Sequence, residues 1–301
     1  MEQYVWLDGE ILSERDSHVS ILTHSLQYGS GIFEGIRAYD TKKGTAIFRI
    51  KDHVRRFFMS AKIYNMDLGI GEQELEGAII EVVKKNKLKS CYIRPFAFYN
   101  DSNIGLGTEG KKISTYVAAV PFGAYFGSGK EKGISCKVSS WQRINSSILP
   151  PHAKASGNYA NSIIAKKEAM SAGADEAIML SHNGYVAEGT GENIFMVKDK
   201  SLITPSEDAD ILIGITRNTI MQIAKSMRIN VVERNIHREE LYTANEVFFS
   251  GTAAEITPIT KIDGNLVASG KPGPITKILS GKYSDATLGK NGKFVQWLTY
   301  I

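Results

Sequence analysis

The fold of this chain is decided around the stretch Pro150-Pro-His-Ala-Lys154-Ala-Ser-Gly-Asn-Tyr159-Ala-Asn-Ser162. Its lysine lies between small residues, directly before a predicted helix over residues 158–172 that Gly173 ends. A solvated surface lysine is the ordinary interpretation. The small neighbours would nevertheless let a flat group approach the ammonium, and lysine is the residue type that forms Schiff bases with carbonyl compounds. Lys154 is therefore a candidate for covalent chemistry.

The residues before this stretch predict a mixture of helices and strands. One helix is N-capped by Asp52 and another covers residues 71–87, and each has an apolar stripe. Strands rich in β-branched and aromatic residues are predicted over 46–49, 91–99 and 113–120.

Residues 121–133 form the clearest linker, since they contain four glycines, a proline and a run of charges. They separate a domain over 1–120 from a longer, strand-rich domain over 134–301, whose second helix is predicted at 216–227 with Thr216 as its N-cap. The chain is thus predicted to be a two-domain α+β protein with a cleft near the linker.

Composition narrows the possible functions. The 301 residues carry a net charge of +4 with both signs interspersed, so no basic stripe indicates nucleic acid binding. The two cysteines fit reduced structural thiols. We expect no membrane span and no signal peptide, because no apolar run approaches about 20 residues and the N-terminus is acidic. A cytoplasmic protein is expected.

Several familiar site motifs fail here. Gly105-Leu-Gly107-Thr-Glu-Gly110 matches a dinucleotide fingerprint by letter, but a strand-like run follows it where that motif needs a helix, which predicts a hairpin loop. The segment ending Gly127-Ser-Gly-Lys130 lacks the first glycine of a P-loop. The histidines have no metal-ligand spacing, so no metal is expected.

Three other motifs each favour a bound polar group. Glu188 begins the turn Glu188-Gly-Thr-Gly-Glu192-Asn193 between two apolar runs, where it is either solvated or a buried carboxylate that needs a cation such as a protonated pyridine nitrogen. Gly214-Ile-Thr216 opens a helix and offers an anion site, unless Thr216 merely caps it. The turn after the strand ending in Phe249 could add amides and a hydroxyl.

Tyr92 and Arg94 form the last candidate pair. The period of two in a strand places them on one face, and a phenol beside a guanidinium can hold a carboxylate. An arginine that simply pairs with an acidic neighbour is an equal alternative.

Taken together, these motifs resemble the branched-chain aminotransferase family, the fold-type IV group of pyridoxal-phosphate enzymes. The matching segments keep the family's order: Tyr28-Gly-Ser-Gly-Ile-Phe-Glu34-Gly, Asp52-His-Val-Arg-Arg56-Phe, Tyr92-Ile-Arg94-Pro, Gly123-Ala-Tyr125, Lys154 to Tyr159, Glu188 to Asn193, Gly214-Ile-Thr216-Arg and Gly251-Thr-Ala-Ala-Glu255. The resemblance implies a smaller N-terminal α/β domain, a larger C-terminal domain with a β-barrel-like core, and a homodimer or higher homo-oligomer.

The resemblance also implies an activity and a set of site residues. The amino group would move between leucine, isoleucine or valine and 2-oxoglutarate in a ping-pong reaction on pyridoxal 5′-phosphate. Lys154 would bond the cofactor and move the proton between the substrate Cα and the cofactor C4′, and Glu188 would hold the pyridine N1–H. The implied cofactor contacts are completed by Arg56, Tyr159, Asn193, Ile215, Thr216 and Thr252.

For the substrate, the resemblance implies that Tyr92 and the Thr252–Ala253 amides bind the α-carboxylate. The side-chain pocket would be formed by Phe33, Tyr125, Tyr159 and, from a partner subunit, Tyr28. Arg94 would pair the distal carboxylate of glutamate, so that one site accepts two substrate classes.

Other activities share the lysine and the glutamate of this fold. D-amino-acid aminotransferases and R-selective amine transaminases are the first alternative, and aminodeoxychorismate lyases are the second. The branched-chain interpretation depends on Tyr92, Arg94 and the Gly251-Thr-Ala-Ala turn. A non-enzymatic alternative is a sugar-phosphate or nucleotide binder that uses the anion site at Gly214–Thr216.

Overall fold

The computed structural model describes residues 2–102, 104–123 and 125–301, so Ala124 of the predicted linker lies outside the described residues. The chain forms two compact units. The first comprises Met1–Phe122, Ala153–Gly157 and Thr287–Ile301, and the second comprises Gly123–His152 and Asn158–Ala286. Lys154 thus packs with the N-terminal residues, whereas the sequence boundary assigned it to 134–301.

The strands are β1 Tyr4–Leu7, β2 Glu10–Ser13, β3 Gly31–Phe33, β4 Ile36–Thr41, β5 Gly44–Phe48, β6 Cys91–Tyr99, β7 Ile113–Pro121, β8 Ile134–Val138, β9 Glu176–Leu180, β10 Val186–Gly189, β11 Asn193–Lys198, β12 Ser201–Thr204, β13 Val231–Glu233, β14 Glu246–Gly251, β15 Glu255–Ile262, β16 Asn265–Leu266 and β17 Leu298–Tyr300. The α-helices are α1 His24–Tyr28, α2 Ile50–Ile63, α3 Glu72–Lys85, α4 Gly129–Lys132, α5 Tyr159–Ser171, α6 Ile215–Ser226, α7 Arg238–Tyr242 and α8 Pro274–Thr287.

The first unit is built on an antiparallel sheet with the order β17-β5-β4-β6-β7-β1-β2, and β3 pairs with β6. The predicted strand over 91–99 is confirmed by β6, in which buried and half-buried residues alternate from Cys91 to Pro95. This alternation places Tyr92 and Arg94 on one face, as the period of two predicted. β5 ends one residue before the predicted boundary because Arg49 has a left-handed φ of 54°.

Helices α2 and α3 pack against this sheet, and both were predicted. Their predicted apolar stripes are buried, with Phe57 at the centre of one and Ile79 at the centre of the other. The prediction that Asp52 caps α2 is wrong. The helix begins at Ile50 after left-handed Arg49, so Asp52 falls in the first turn and accepts from Arg49 Nε at 2.8 Å.

The second unit contains a closed barrel. Within the described residues, six strands form a ring in the order β10-β9-β8-β15-β14-β11, and the pairing of β10 with β11 closes it. Its interior is filled by side chains such as Ile178, Val186, Ile194 and Phe249. The barrel-like core expected of the larger domain is confirmed.

Two predicted helices flank the barrel strands. The helix predicted at 158–172 is α5, which packs small residues such as Ala165 and Ala169 against β9, and Gly173 follows it with a left-handed φ of 76°. The helix predicted at 216–227 is α6. In the described part of the chain, every helix is too short or too polar to cross a membrane.

Candidate active site

The loop that carries Lys154 is held in the first unit through its main chain. The Lys154 amide donates to Ser60 Oγ at 3.0 Å, and its carbonyl accepts from the Phe33 amide at 2.9 Å. Ala155 forms a β-bridge with Ile32 on β3. The half-buried Lys154 side chain places Nζ 4.8 Å from the centre of the Phe33 ring. The backbone therefore fixes the base of the lysine and leaves its ammonium over an aromatic face.

Arg94 approaches the same aromatic ring. Its guanidinium carbon is 4.6 Å from the Phe33 ring centre and 5.4 Å from that of Tyr92, and Nη2 is 3.4 Å from the Tyr92 hydroxyl. No carboxylate of the described residues pairs with Arg94, and its buried Nε has no hydrogen-bond acceptor among them. Gly35 makes room here, since a Cβ at that position would lie 1.9 Å from the Tyr92 hydroxyl. A cation and a phenol thus face the same side of β6, and no acidic side chain among the described residues forms a salt bridge with the cation.

Arg56 lies in α2 and is engaged by a buried acid. Its Nε donates to Glu34 Oε1 at 2.6 Å and its Nη2 to Oε2 at 2.9 Å, and His53 Nδ1 donates to Oε2 at 2.7 Å. Burial opposes ionisation of Glu34, but the charge of Arg56 and the hydrogen bonds from Arg56 and His53 together outweigh it and hold the pKa of this carboxyl well below its usual range. Burial lowers the pKa of His53, because it disfavours the charged form of the ring. The two-point contact fixes the plane of the guanidinium.

Glu188 is the centre of a polar cluster in the second unit. Glu188 lies on β10 and is buried. Its Oε1 accepts a hydrogen bond from Arg143 Nε at 2.7 Å, and its Oε2 accepts one from Asn193 Nδ2 at 3.0 Å. The amide of Leu212 donates to both oxygens, at 3.3 and 3.2 Å. The solvated interpretation of Glu188 is therefore wrong, and three chain segments hold its carboxylate.

Asn193 connects this carboxylate to the start of α6. Its Nδ2 also donates to the Leu212 carbonyl at 2.8 Å, and a Cβ on Gly214 would lie 1.8 Å from its Oδ1. The prediction that Thr216 caps α6 is wrong, because the helix begins at Ile215 after Gly214, and Thr216 lies buried in its first turn. Since Gly214 occupies the N-cap position and has no side chain to cap the helix, the first turn keeps the character of an anion site.

The turn that contains Thr252 and Ala253 joins β14 to β15 beside this cluster. Strand register places Glu188 opposite Asn193, and Asn193 opposite Ser250, so these positions share one end of the barrel. Thr252 and Ala253 are half-buried. The turn thus lies near the Glu188 cluster within the second unit.

The other predicted residues are more exposed. Tyr28 ends α1 with 40% of its surface exposed, and its ring centre is 4.8 Å from that of His24. Tyr125 is 50% exposed and its ring lies 4.8 Å from that of Phe126. Tyr159 is half-buried at the first turn of α5.

Sequence reasoning missed four polar residues of these clusters: Ser60, Glu34, His53 and Arg143. Glu34 and His53 lie within motifs quoted for the resemblance, and His53 is three residues before Arg56 on one helix face, but nothing in the sequence indicates that Glu34 pairs with them. Arg143 had no signal of its own. The one available hint was that a buried Glu188 requires a cationic partner.

Comparison with known proteins identifies the family to which the chain is similar. The family model for class IV amino-transferases matches residues 31–262. A branched-chain-amino-acid aminotransferase of Pseudomonas aeruginosa is 46% identical over 298 residues, which cover 99% of this chain and 97% of that protein.

Solved structures agree with this chain over nearly its full length. The branched-chain aminotransferase of the thermophilic archaeon Thermoproteus uzoniensis, solved with norvaline, has a TM-score of 0.95 and 45% identity, with 99% of both chains covered. The T.th. branched-chain amino acid aminotransferase, complexed with N-(5′-phosphopyridoxyl)-L-glutamate, has a TM-score of 0.95 and 41% identity and covers 100% of this chain and 99% of that one. The predicted fold-type IV class is thereby confirmed. Since the family model matches most of the chain and near-full-length relatives share more than two fifths of its residues, this chain belongs to the class IV aminotransferase family.

Proposed function

We propose that the chain is a branched-chain amino acid aminotransferase that uses pyridoxal 5′-phosphate. It exchanges the amino group between leucine, isoleucine or valine and 2-oxoglutarate in a ping-pong reaction. Relatives that span the whole chain have this activity in their names, and one was solved with a phosphopyridoxyl-glutamate adduct. In this chain the observation that carries the proposal is Arg94, a guanidinium beside a phenol without an acidic partner among the described residues.

The residues of each unit fit the cofactor. Pyridoxal phosphate presents a phosphate, a ring nitrogen and an aldehyde, which match the start of α6, the Glu188 carboxylate and Lys154. Buried Ser156 Oγ and Ser250 Oγ have no hydrogen-bond partner among the described residues, as expected of side chains that await a polar ligand.

Each residue would contribute a separate task. The cofactor supplies a carbonyl that accepts the amino group and a ring that withdraws electrons from the substrate α-carbon. Lys154 Nζ would hold the aldehyde carbon until the substrate amine takes its place there, and the freed lysine amine would then move the proton at the substrate α-carbon. Glu188 would hold the proton on the ring nitrogen, and Tyr159 would contact the ring hydroxyl oxygen. Phosphate binding is proposed for Arg56, Ile215, Thr216 and Thr252, with Asn193 supporting Glu188.

Substrate binding is proposed for the face of β6 and the turn after β14. Tyr92 and the amides of Thr252 and Ala253 would bind the α-carboxylate. The apolar side chain would lie against Phe33 and Tyr125, also touched by Tyr159 and by the partner subunit's Tyr28. Arg94 would meet the second carboxylate of glutamate, which leucine lacks.

A substrate panel tests the proposal as a whole. Purified enzyme with bound cofactor is given L-leucine, L-isoleucine, L-valine, D-alanine or a simple amine, with 2-oxoglutarate as acceptor. Transfer from the branched-chain L-amino acids is expected to be fastest. Faster transfer from D-alanine would contradict it in favour of a D-selective enzyme of the same fold.

Lys154 is tested by chemical trapping. Borohydride reduction is expected to bleach the visible absorbance of the cofactor and to attach it to the peptide that contains Lys154, as seen by mass spectrometry. Lys154→Ala is expected to abolish transfer while part of the affinity for the cofactor remains. A variant with near-normal turnover would refute the assignment, and so would a wild-type protein labelled at another lysine.

Arg94→Met separates the two substrate classes. Loss of a charge-assisted pair worth roughly 1.5–3 kcal/mol should raise KM for 2-oxoglutarate about 10- to 100-fold. KM for the leucine-derived 2-oxo acid should change little, because this substrate has no second carboxylate. Arg55→Met is a matched control, because the Arg55 side chain is 72% exposed. Equal losses for both substrates would assign Arg94 a purely structural role.

We also propose that the protein is a homo-oligomer. The segment around α1 exposes several apolar side chains, including Ile21 at 82%, Leu26 at 65% and Tyr28 at 40%, which is typical of an interface. Light scattering is expected to detect a dimer or larger species, and Leu26→Glu is expected to yield smaller, less active species. An active wild-type monomer would contradict this.

We further propose that the enzyme works in the cytoplasm, where its buried free thiols Cys91 and Cys136 stay reduced. Recovery of the activity in another cell fraction would refute that location.

A further inference from the structure

Arg143 is a buried cation that belongs to none of the motifs recognised in the sequence. It follows β8 in a loop, and its amide donates to the carbonyl of Leu180 at the end of β9 at 2.8 Å. Only 7% of its side chain is exposed, and its Nε reaches Glu188 Oε1 at 2.7 Å. Taking an ion pair out of water costs several kcal/mol per ion, which the attraction between the charges offsets only where the geometry is good and further hydrogen bonds are made.

The geometry around Glu188 sets a cation directly against the carboxylate. Three of the groups that donate to Glu188 are the Asn193 side-chain amide, the Leu212 main-chain amide and the Arg143 guanidinium. Of these, only Arg143 carries a positive charge. Its Nη1 is buried and has no hydrogen-bond partner among the described residues. A buried donor without a partner costs about 1–3 kcal/mol.

We infer that Arg143 is a positioning residue that keeps the shared proton on the ring nitrogen of the cofactor rather than on Glu188, an inference that rests on the proposed function. With the cofactor bound, Glu188 and the ring nitrogen would share one proton. Either the carboxylate is ionised and the nitrogen protonated, or both groups are neutral.

Arg143 contacts the carboxylate directly, whereas a ring nitrogen held by that carboxylate would be farther from Arg143. Its charge therefore stabilises the ionised acid more than it opposes the protonated nitrogen, because the Coulomb energy falls with distance. Without Arg143, the proton is expected to move from the nitrogen to Glu188. The ring then withdraws electrons less strongly, which slows proton removal at the substrate α-carbon.

The test measures the ring nitrogen itself. The apoprotein is reconstituted with cofactor that carries ¹⁵N in the ring, and the ¹⁵N resonance is recorded for the wild type, Arg143→Met and Arg143→Lys. We expect the resonance of Arg143→Met to move toward that of neutral pyridine and its kcat to fall about 10- to 100-fold, the loss of one charge-assisted contact. Arg143→Lys retains the charge and should keep the resonance near that of the wild type. If Arg143→Met does not fold, Arg143→Gln keeps a polar donor without the charge and should give the same shift.

Arg217→Met is a matched control. Arg217 is also a buried arginine of the second unit, with Nη2 2.7 Å from Glu233 and a buried Nε without a partner among the described residues. The Arg217→Met variant should have a lower free energy of unfolding, and its cofactor ring should keep the ¹⁵N resonance of the wild type. An unchanged resonance in both Arg143→Met and Arg143→Gln would overturn the inference, and so would an equal shift in Arg217→Met. Failure of the proposed function is recognised separately, because the wild type would then bind no pyridoxal phosphate and show no visible absorbance, or would bind it and prefer D-alanine in the substrate panel.

Discussion

Ser60 is predicted to set the position of Lys154. Its hydroxyl is fully buried, accepts the Lys154 amide at 3.0 Å and donates to the Arg56 carbonyl at 3.0 Å. One small side chain on α2 therefore joins the loop of the proposed catalytic lysine to the turn of the proposed phosphate-binding arginine. We consider its replacement by alanine.

The two hydrogen bonds of Ser60 are expected to contribute unequally to the free energy of unfolding. The Arg56 carbonyl keeps its helical partner in Ser60→Ala, since the backbone amide four residues later is unchanged. The Lys154 amide, in contrast, loses the hydroxyl, and an unsatisfied buried donor costs about 1–3 kcal/mol. The free energy of unfolding should fall by that amount. If the loop shifts by about 1 Å, turnover should fall by up to about 100-fold.

Urea unfolding and the single-turnover rate of amino transfer from L-leucine measure the two effects. Ser114→Ala is the matched control, because Ser114 is fully buried in the same unit and its hydroxyl accepts from Asn100 Nδ2 at 2.9 Å. Both variants should lose similar stability, and only Ser60→Ala should lose turnover. Turnover of Ser60→Ala within about twofold of Ser114→Ala would refute the reasoning.

Two further predictions concern the second unit. Gly214→Ala would place a Cβ 1.8 Å from Asn193 Oδ1 and should weaken cofactor binding about tenfold or more. Gly191→Ala is the control, because a Cβ there meets open space, and this variant should bind the cofactor normally. Equal affinities of the two variants, measured by equilibrium dialysis, would contradict this prediction. Burial raises the pKa of Glu192 from 4.5 to about 8, helped by the charge of Glu176. Because the folded chain retains this proton and the unfolded chain releases it near pH 4.5, stability should fall as the pH rises from about 4.5 to about 8. The free energy of unfolding, measured with urea at pH 5 and pH 8.5, should decrease by about 2–4 kcal/mol less in Glu192→Gln than in the wild type. The same decrease in both proteins would show that Glu192 does not cause it.

Local patterns in the sequence were sufficient for most elements of the fold. The alternation in residues 91–99 and the apolar stripes of α2 and α3 depend on neighbours a few residues apart, and the structure confirms them. Helix starts were less predictable because they depend on tertiary contacts. Asp52 has the right residue type for a cap, yet the left-handed backbone of Arg49 starts α2 three residues earlier than a cap at Asp52 would.

The polar partners of the proposed site were beyond sequence reasoning for a different physical reason. Arg143 and Glu188 are 45 residues apart, and Ser60 and Lys154 are 94 apart. Such contacts follow from strand pairing and helix packing, which no local period encodes. The sequence indicated that Glu188 needs a cation, but many basic residues could have met that need.

The side chains of the proposed site are held in two different ways. Glu188 is held by three donors, and Arg56 by a bidentate ion pair, so neither is expected to reorient when a ligand binds. Arg94 instead lies over the rings of Phe33 and Tyr92, with one long contact to a hydroxyl. Contacts with an aromatic face depend weakly on the rotation of a guanidinium, whereas a salt bridge would fix it. We therefore propose that Arg94 is the adjustable member of the site: it can turn toward the second carboxylate of glutamate and away from an aliphatic chain, while the rigid residues keep the reacting atoms in place.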